Sequence, residues 1–372
     1  MKIAFLGPAY PLRGGIVQFI TILAEKLKTA DHKIKIFSFK KQYPKFLFPG
    51  KDQFDHSGKK PEIEIEQVLI PYNPLTWFPT VFKIKKWNPE ILILKYWIPF
   101  FAPAFGVIIR FLKLTSSTKV IYIIDNIDFH EKWIFAKTLT KFALGKADKL
   151  ITLSDSVFED TRKMFPNKKI IRSYHPLYLI FDRQRFNKKT AKKELGLTGK
   201  KVILFFGYIK PYKGLDLLLK AFPEILKNIP DAHLLIVGEV YGNDEKYLHL
   251  ISELKITDKV TFIRKFVADD EVEIYFKSAD VLALPYKQAT QSGVAQIGYT
   301  MDLGAVATPV GGLPELVINK KTGIVAKSVT SQDFAKAIEE FFKLDKNILR
   351  KNIAIENQKY SWENFIKLIF NE

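Results

Sequence analysis

The chain has 372 residues, which is too long for one ordinary hydrophobic core and suits two domains. Hydrophobic residues make up 47% of the sequence, so a disordered protein is excluded. The chain has no cysteine, which excludes a disulfide framework and thiolate metal sites and fits a reducing compartment. The net charge of +19 leaves three classes of partner open: nucleic acid, an anionic membrane and a phosphorylated small molecule.

The first half of the chain alternates between apolar strand-like runs and helical patterns. Gly14 and Gly15 begin a predicted helix whose apolar residues recur at helical spacing from Ile16 to Leu27. The strands predicted in this half are Lys2–Leu6, Lys33–Phe37, Ile91–Leu94, Lys119–Ile124 and Lys149–Leu153. Short apolar strands separated by helices predict a parallel sheet covered by helices on both faces.

One apolar run in this half, Tyr96–Ile109, is shorter than the ~20 residues that a membrane span requires, and Pro99 and Pro103 interrupt it. We therefore expect a buried helix there, with an interfacial membrane segment as the alternative. Basic and aromatic residues are mixed at 40–51 and at 82–87. That composition suits an anionic membrane surface, and it suits an ordinary solvated face about equally.

The strand and helix pattern lapses between Ser173 and Gly199, where a polar, basic stretch is typical of a connector. Alternation then restarts, and the chain is predicted to form a second doubly wound α/β domain. The predicted elements are strands at Val202–Phe206, Ala232–Val237, Lys259–Ile263, Asp280–Pro285 and Gly304–Thr308, with helices at Leu215–Leu226, Asp244–Leu254 and Asp270–Lys277.

Three loops of the second half follow strands and share small residues with accessible amides. They are Gly207–Asp216, Tyr286–Gly293 and Ala307–Glu315. Unpaired N–H groups at a helix N-terminus bind phosphate, because they point outward at the positive end of the helix dipole. In open α/β sheets the ligand binds beyond the carboxyl ends of the strands. Three such loops therefore predict a ligand that carries a diphosphate.

The chain resembles the family 4 (group 1) retaining glycosyltransferases of the GT-B architecture, in which two Rossmann-like domains face each other across a cleft. The resemblance covers nearly the whole chain and is strongest from Val202 to Val325. Its motifs are Gly14-Gly15, Lys213–Leu218 with Ala221, Val237–Glu239, Ala279–Pro285 and Val310–Glu315. It implies an acceptor-binding domain at 1–175, a linker at 176–200, a donor-binding domain at 201–358 and a terminal helix within 359–372 that packs back on the first domain.

The resemblance also implies a nucleoside-diphosphate sugar as donor, with no further cofactor and no bound metal. Lys213 is the implied catalytic cation, which would stabilise the leaving diphosphate. A lysine at a helix start is unfavourable against the dipole, which favours function over an ordinary surface lysine. Lys210 is the second cation, because Tyr208 stands where the family usually carries arginine. The implied donor-binding residues are Gly14, Gly15, Gly207, Lys210, Lys213, Gly238, Arg264, Phe266, Thr290, Gln291, Ser292, Gly293, Val294 and Glu315.

The sequence departs from the family at two glutamates that normally contact the donor sugar and the ribose. Aligned on Gly293, those positions are Thr290 and Gly298. The chain resembles a bacterial subgroup with a Thr-Gln-Ser-Gly loop in place of the glutamate motif. Thr290 or Gln291 can hydrogen-bond a sugar hydroxyl. An active enzyme with a variant donor-binding loop is favoured, and an inactive nucleotide-sugar-binding homologue is the alternative.

In the first half, Asp125 and His130 follow a predicted strand and would face the ligand. Both are candidate catalytic residues: Asp125 to position the acceptor hydroxyl or act as a base, and His130 to contact the sugar or acceptor. The structural alternative for Asp125 is an Asp-Asn turn that caps the next helix. A lone histidine such as His130 is more often structural.

The predicted function is retaining transfer of a sugar to a hydroxyl of a lipid-linked or glycan acceptor, in cell-surface polysaccharide or glycolipid synthesis. The predicted location is cytoplasmic, peripheral at the inner face of the cytoplasmic membrane, with its anionic surface as a partner. Two alternatives stay open: a sugar-nucleotide epimerase of the same architecture, and a nucleic-acid-binding protein. The second lacks a helix-turn-helix, RNA-recognition or zinc-knuckle signature, so no nucleic acid partner is expected.

Overall fold

A computed structural model describes residues 1–44, 53–55, 60–127, 135–290 and 292–371 of the chain. The chain divides into two compact units. The first unit consists of Met1–Tyr174 together with Trp362–Glu372, and the second unit is His175–Ser361. Each unit contains a parallel β-sheet with helices packed on it, which is the Rossmann-like α/β class that the sequence predicts.

The first unit is built on a seven-stranded sheet. Its strands are β1 Lys2–Leu6, β2 Lys33–Phe39, β3 Glu64–Leu69, β4 Ile91–Tyr96, β5 Lys119–Ile124, β6 Lys149–Thr152 and β7 Ile170–Arg172. Its helices before the second unit are α1 Gly15–Thr29, α2 Trp77–Trp87, α3 Ala102–Thr115, α4 Ala136–Leu144 and α5 Asp155–Met164. The strand order is β3-β2-β1-β4-β5-β6-β7, with parallel pairing throughout.

The second unit is built on a six-stranded parallel sheet of order β10-β9-β8-β11-β12-β13. Its strands are β8 Lys201–Phe206, β9 Ala232–Val237, β10 Val260–Ile263, β11 Val281–Leu284, β12 Ala305–Ala307 and β13 Gly323–Val325. Its helices are α6 Lys188–Glu194, α7 Leu215–Asn228, α8 Glu245–Glu253, α9 Val272–Ser278, α10 Gly293–Thr300, α11 Leu313–Leu316, α12 Ser331–Phe342 and α13 Lys346–Asn357.

The last helix, α14 Trp362–Phe370, belongs to the first unit although it follows the second in sequence. The ring of Trp362 lies 5.1 Å from that of Phe19 in α1, centroid to centroid, and Trp362 is almost fully buried. Lys149 donates hydrogen bonds to the carbonyl oxygens of Leu368 and Ile369, at 3.1 and 3.0 Å. These are the last exposed carbonyls of the helix, where a cation is favourable.

The apolar run Tyr96–Ile109 forms the end of β4 and much of α3, and its side chains are mostly buried. Phe101, Phe105 and Ile108 pack with the strand residues of the sheet in one apolar cluster. The expected buried helix is therefore present. In the part of the chain that the structure describes, no helix combines the length and the apolar composition needed to cross a membrane.

The predicted linker at 176–200 is wrong in one respect, because the structure places these residues inside the second unit. They include α6, where the Asn187 side chain accepts from the Thr190 N–H and the Thr190 side chain accepts from the Asn187 N–H. Lys188 and Lys192 of α6 pair with the buried carboxylate of Asp280 at 3.0 and 2.5 Å. Leu177, Phe181 and Leu197 are also buried, so apolar packing, ion pairs and capping together fix this segment to the second unit.

Candidate functional site

Three loops lie at one edge of the second sheet, because they follow strands that are neighbours in it. β8, β11 and β12 are adjacent and parallel, so their carboxyl ends meet at the same edge. The loop after β8 carries Gly207 and Lys213, the loop after β11 leads into α10, and the loop after β12 leads into α11. The three loops that the sequence predicts as phosphate-binding therefore lie side by side.

The ammonium group of Lys213 lies beside Gly207 and the start of α10. A Cβ atom placed on Gly207 would be 3.2 Å from Lys213 Nζ and 3.3 Å from a methyl group of Val294. The Tyr286 ring centroid is 5.5 Å from the same Nζ. Within the described ranges, no carboxylate forms an ion pair with Lys213. Although the residue as a whole is only partly buried, burial around the ammonium lowers the pKa of Lys213. An anion bound here would supply the missing negative charge.

The N-terminus of α10 presents backbone amides beside this lysine. Ser292 is the N-cap, and its Oγ accepts a hydrogen bond from the Ala295 N–H at 3.3 Å. Across residues 1–44, 53–55, 60–127, 135–290 and 292–371, no protein acceptor takes the N–H groups of Gly293 and Val294. Together with Lys213, these two amides form a site suited to phosphate oxygens.

Two glycines allow the loops to approach each other closely. Gly238 follows β9 with φ of 153°, and a Cβ there would lie 2.0 Å from the carbonyl oxygen of Gly207. Gly311 has φ of 51°, and a Cβ there would lie 1.4 Å from the carbonyl oxygen of Ala289. Any side chain at either position would push the loops apart. The predicted Gly238 thus shapes the site through the backbone of its neighbour.

The two positions of the missing glutamates have different surroundings. Thr290 is half-buried in the loop before α10. Gly298 lies within α10, and a Cβ there would already be 3.1 Å from Leu282 of β11. Gly298 packs on the sheet, so a glutamate side chain there would require Leu282 to shift. Gln291, the other predicted sugar contact, lies outside the described residues.

An aromatic cluster occupies the carboxyl ends of β8, β9 and β10. The ring of Tyr208 lies 4.8 Å from that of Tyr241 and 6.1 Å from that of Phe266, measured between centroids. Lys210 Nζ is 4.9 Å from the Tyr241 ring centroid. Of the predicted donor-binding residues, Phe266 is therefore part of this cluster and Lys210 contacts it through Tyr241. Arg264 instead forms an ion pair with Asp244 at 2.8 Å.

Two buried tyrosines at α10 were missed by the sequence reasoning. The Tyr286 hydroxyl is 3.5 Å from Ser292 Oγ, and burial raises the pKa of Tyr286 to about 12. A Cβ on Gly293 would lie 3.3 Å from the ring of Tyr178, whose hydroxyl is 3.3 Å from His175 Nε2. Both tyrosines therefore pack against the first residues of α10, Tyr286 at Ser292 and Tyr178 at Gly293. The position of Tyr286 in the loop that ends at Gly293 was the available signal for that residue, whereas Tyr178 lies far from the loop in sequence.

In the first unit, Asp125 follows β5 as predicted, but its partner was not foreseen. Lys95 donates to Asp125 Oδ1 at 2.5 Å, and its ammonium lies 3.9 Å from the Phe19 ring centroid. Lys95 is 2% exposed. Burial lowers the pKa of Lys95, and the carboxylate of Asp125 opposes that shift. The catalytic role of Asp125 remains a prediction, and His130 lies outside the described residues.

The remaining predicted residues occupy two helix starts. Gly14 is the N-cap of α1 with φ of 117°, and Gly15 is its first residue. No acidic side chain lies in the first turn of α1. Glu315 lies half-buried in α11, directly after the loop that follows β12. Among the described residues, no group of three or more histidine or carboxylate side chains is arranged to hold a metal ion.

Residues 187–360 match the family model described as glycosyl transferases group 1. A D-inositol 3-phosphate glycosyltransferase of Corynebacterium aurimucosum is 31% identical over 180 residues, covering 46% of this chain and 42% of that protein. The chain thus spans less than half the length of this relative. Spore coat protein SA of Bacillus subtilis is 22% identical, over 98% of this chain and 96% of its own.

Among solved structures, Anabaena HepE in complex with UDP superposes with a TM-score of 0.74 at 17% identity. The superposition covers 99% of this chain and 98% of HepE. The likeness confirms the predicted fold, the two-Rossmann-domain GT-B architecture. The family match covers the residues that carry Lys213, α10 and the aromatic cluster.

Proposed function

We propose that the protein transfers a sugar from a nucleoside diphosphate to an acceptor hydroxyl, because residues 187–360 match the family model of the glycosyl transferases group 1. The observation that carries this proposal is the Lys213 ammonium, which burial destabilises and which lies beside the start of α10. A diphosphate placed there would meet one cation and two backbone amides. Charge that develops on the leaving group is stabilised best by donors already in place.

The other parts of the donor have matching surfaces nearby. The rings of Tyr208, Tyr241 and Phe266 offer an apolar face for the nucleobase, and Lys210 adds a cation at its rim. Thr290 is the proposed sugar contact, since a hydroxyl can both donate to and accept from a sugar. HepE has been crystallised with UDP-glucose, which makes UDP-glucose the first donor to test.

The proposed transfer retains the anomeric configuration. The acceptor hydroxyl attacks from the face that the diphosphate leaves, and the leaving phosphate oxygen takes its proton. This route requires positioning and charge stabilisation more than a strong protein base, which fits an Asp125 already engaged by Lys95. An NMR spectrum of the product that shows the opposite anomeric configuration would contradict it.

The proposed acceptor is a lipid-linked or glycan hydroxyl, used on the cytoplasmic side of an anionic membrane for cell-surface polysaccharide or glycolipid synthesis. Two observations support a membrane setting: the net charge of +19 and the mixture of lysine and aromatic residues in α2. No nucleic acid, metal or further cofactor is part of the proposal.

The test is thermal stabilisation by UDP-, GDP-, dTDP- and ADP-linked sugars, with the wild type beside Lys213→Ala. A ligand at 100 times its dissociation constant stabilises a protein by about 2.7 kcal/mol. We expect one base to stabilise the wild type and not Lys213→Ala, while Lys220→Ala, an exposed lysine in α7, behaves as wild type.

The outcomes also separate the alternatives. If no donor stabilises a folded wild type, the transferase proposal fails and an inactive homologue remains. If a bound sugar nucleotide is converted to its epimer without any acceptor, the protein is the epimerase of the same architecture. Transfer that requires an added acceptor supports the proposal.

A further inference from the structure

Two neighbouring helices of the first unit carry large apolar side chains on their solvent side. We define the α2–α3 surface as Leu75, Phe78, Phe82, Phe111 and Leu114. Phe82 is 66% exposed, and Leu75 and Leu114 are 82% and 78% exposed. Single exposed apolar residues are ordinary on a protein surface, but a contiguous group marks a place where something binds.

One contact and helical spacing link these side chains, and Leu75 lies in the short turn before α2, three positions before Phe78. Phe78 and Phe111 join the two helices, with ring centroids 4.8 Å apart in an edge-to-face contact. Phe82 lies one turn after Phe78, and Leu114 lies one turn after Phe111, so each pair shares a face of its helix. The opposite face of α2 packs against the rest of the unit, where Thr80 and Ile84 are buried. The exposed phenylalanines are therefore not core residues turned outward by a small rotation of the helix.

The charged residues of the two helices themselves are all basic. Neither α2 nor α3 contains an acidic residue. Lys85 and Lys86 follow Phe82 by three and four positions, which continues its face into the next turn. Both lysines are exposed, and neither pairs with a carboxylate in the described residues. Lys83 and Lys113, in contrast, pair with Glu66 and Asp148.

We propose that the α2–α3 surface docks on an anionic phospholipid membrane, with the phenylalanines and leucines at the level of the headgroups and Lys85 and Lys86 on lipid phosphates. Aromatic and aliphatic side chains beside unpaired lysines are the combination that binds such an interface. A second copy of this chain is a poorer occupant, because it would bring another acid-free face and another +19 of net charge. This docking surface deepens the proposed function by naming the partner that would hold the enzyme near a lipid-linked acceptor, but the docking itself needs no donor.

The experiment is co-sedimentation of the full chain with vesicles of phosphatidylcholine alone and of phosphatidylcholine mixed with phosphatidylglycerol, without any sugar nucleotide. We expect binding to the anionic vesicles that weakens as salt is added. Phe78→Ser with Phe82→Ser should reduce the binding constant at least tenfold, an order-of-magnitude figure for two apolar side chains that leave the interface. Lys85→Gln with Lys86→Gln should reduce it about fivefold per lysine on anionic vesicles only.

Matched controls lie in the second unit. Ile348 and Ile355 are exposed apolar residues of α13, and Lys336 and Lys351 are exposed lysines of α12 and α13. Serine at the two isoleucines and glutamine at the two lysines should leave vesicle binding unchanged. Circular dichroism and a melting curve on every variant identify a binding loss that comes from unfolding.

Four results would overturn the docking proposal: no binding to anionic vesicles, equal binding to neutral ones, equal losses in the control variants, or a phenylalanine variant that changes only self-association. Donor-induced stabilisation is measured on the same preparations. Vesicle binding without donor binding supports the docking surface while the transferase proposal fails, and donor binding without vesicle binding does the reverse.

Discussion

Each unit of the molecule contains a lysine with a depressed pKa near the carboxyl end of its sheet, and the two differ in how their charge is balanced. Lys95 in the first unit donates to Asp125 at 2.5 Å. Lys213 in the second unit lies beside Gly207 and Tyr286, without a carboxylate partner in the described parts of the chain. Burial lowers the pKa of both lysines. The protein itself balances the first charge, and the proposed diphosphate would balance the second. The presence of a carboxylate partner, in the described parts of the chain, therefore distinguishes the two lysines.

The largest expected effect is on the stability of the first unit. Lys95→Met leaves the Asp125 carboxylate without its cation, and breaking a buried pair in this way costs about 3 kcal/mol of unfolding free energy. All five tryptophans of the sequence fall in the first unit, so their fluorescence during guanidinium unfolding reports on that unit. A loss of similar size in Lys213→Met would remove the distinction between the two lysines.

The second prediction is that Lys213, unlike Lys95, matters more for donor binding than for stability. Lys213→Met removes a charge that burial disfavours, so the free protein should change in stability by less than about 0.5 kcal/mol. Donor binding should weaken by about 1.5–3 kcal/mol, because a charge-assisted hydrogen bond to the diphosphate is lost. Calorimetric titration with the stabilising donor measures it. An unchanged affinity in Lys213→Met would place the diphosphate elsewhere.

The third prediction concerns pH. The pKa of Lys213 in the free protein lies below its ordinary value of 10.5, and a bound diphosphate favours the protonated form. Donor affinity is therefore highest at pH values below the pKa of Lys213 in the free protein. It falls as the pH rises through that pKa, by at most about tenfold per pH unit. Lys213→Met should abolish this alkaline decline. A decline of the same size in the variant would assign it to another group.

The smallest expected effect compares two helix N-caps. Ser154 caps α5 in the first unit and Ser292 caps α10 in the second, each accepting a backbone N–H at 3.3 Å. Replacing either serine by alanine should cost about 1 kcal/mol of stability. Only Ser292→Ala should also weaken donor binding, since only α10 presents its first amides beside Lys213. Equal donor affinities in the two variants would argue against a phosphate at α10.

Much of the fold was predictable because the strands at the sheet centres are mostly apolar. The edge strand β3 was missed because three of its six residues are polar or charged. α6 was missed because only Ala191 is buried, so no apolar periodicity marks it.

The site divides in the same way. The loop glycines and Lys213 are visible as a motif in the sequence. Glycine is required at Gly238, for example, because the backbone of Gly207 comes too close for any side chain. The pairing of Lys95 with Asp125 is not visible, because it joins residues 30 positions apart across two strands. The aromatic cluster of Tyr208, Tyr241 and Phe266 likewise depends on strand order, which local patterns do not specify.

The return of α14 to the first unit affects the order in which the chain can fold as it is synthesised. Residues 1–174 leave the ribosome first, yet Phe19 meets Trp362 only after the whole second unit has been made. N-terminal domains generally fold first during synthesis. Here the first unit must wait for its last helix with part of its apolar surface uncovered, and the second unit can finish before it.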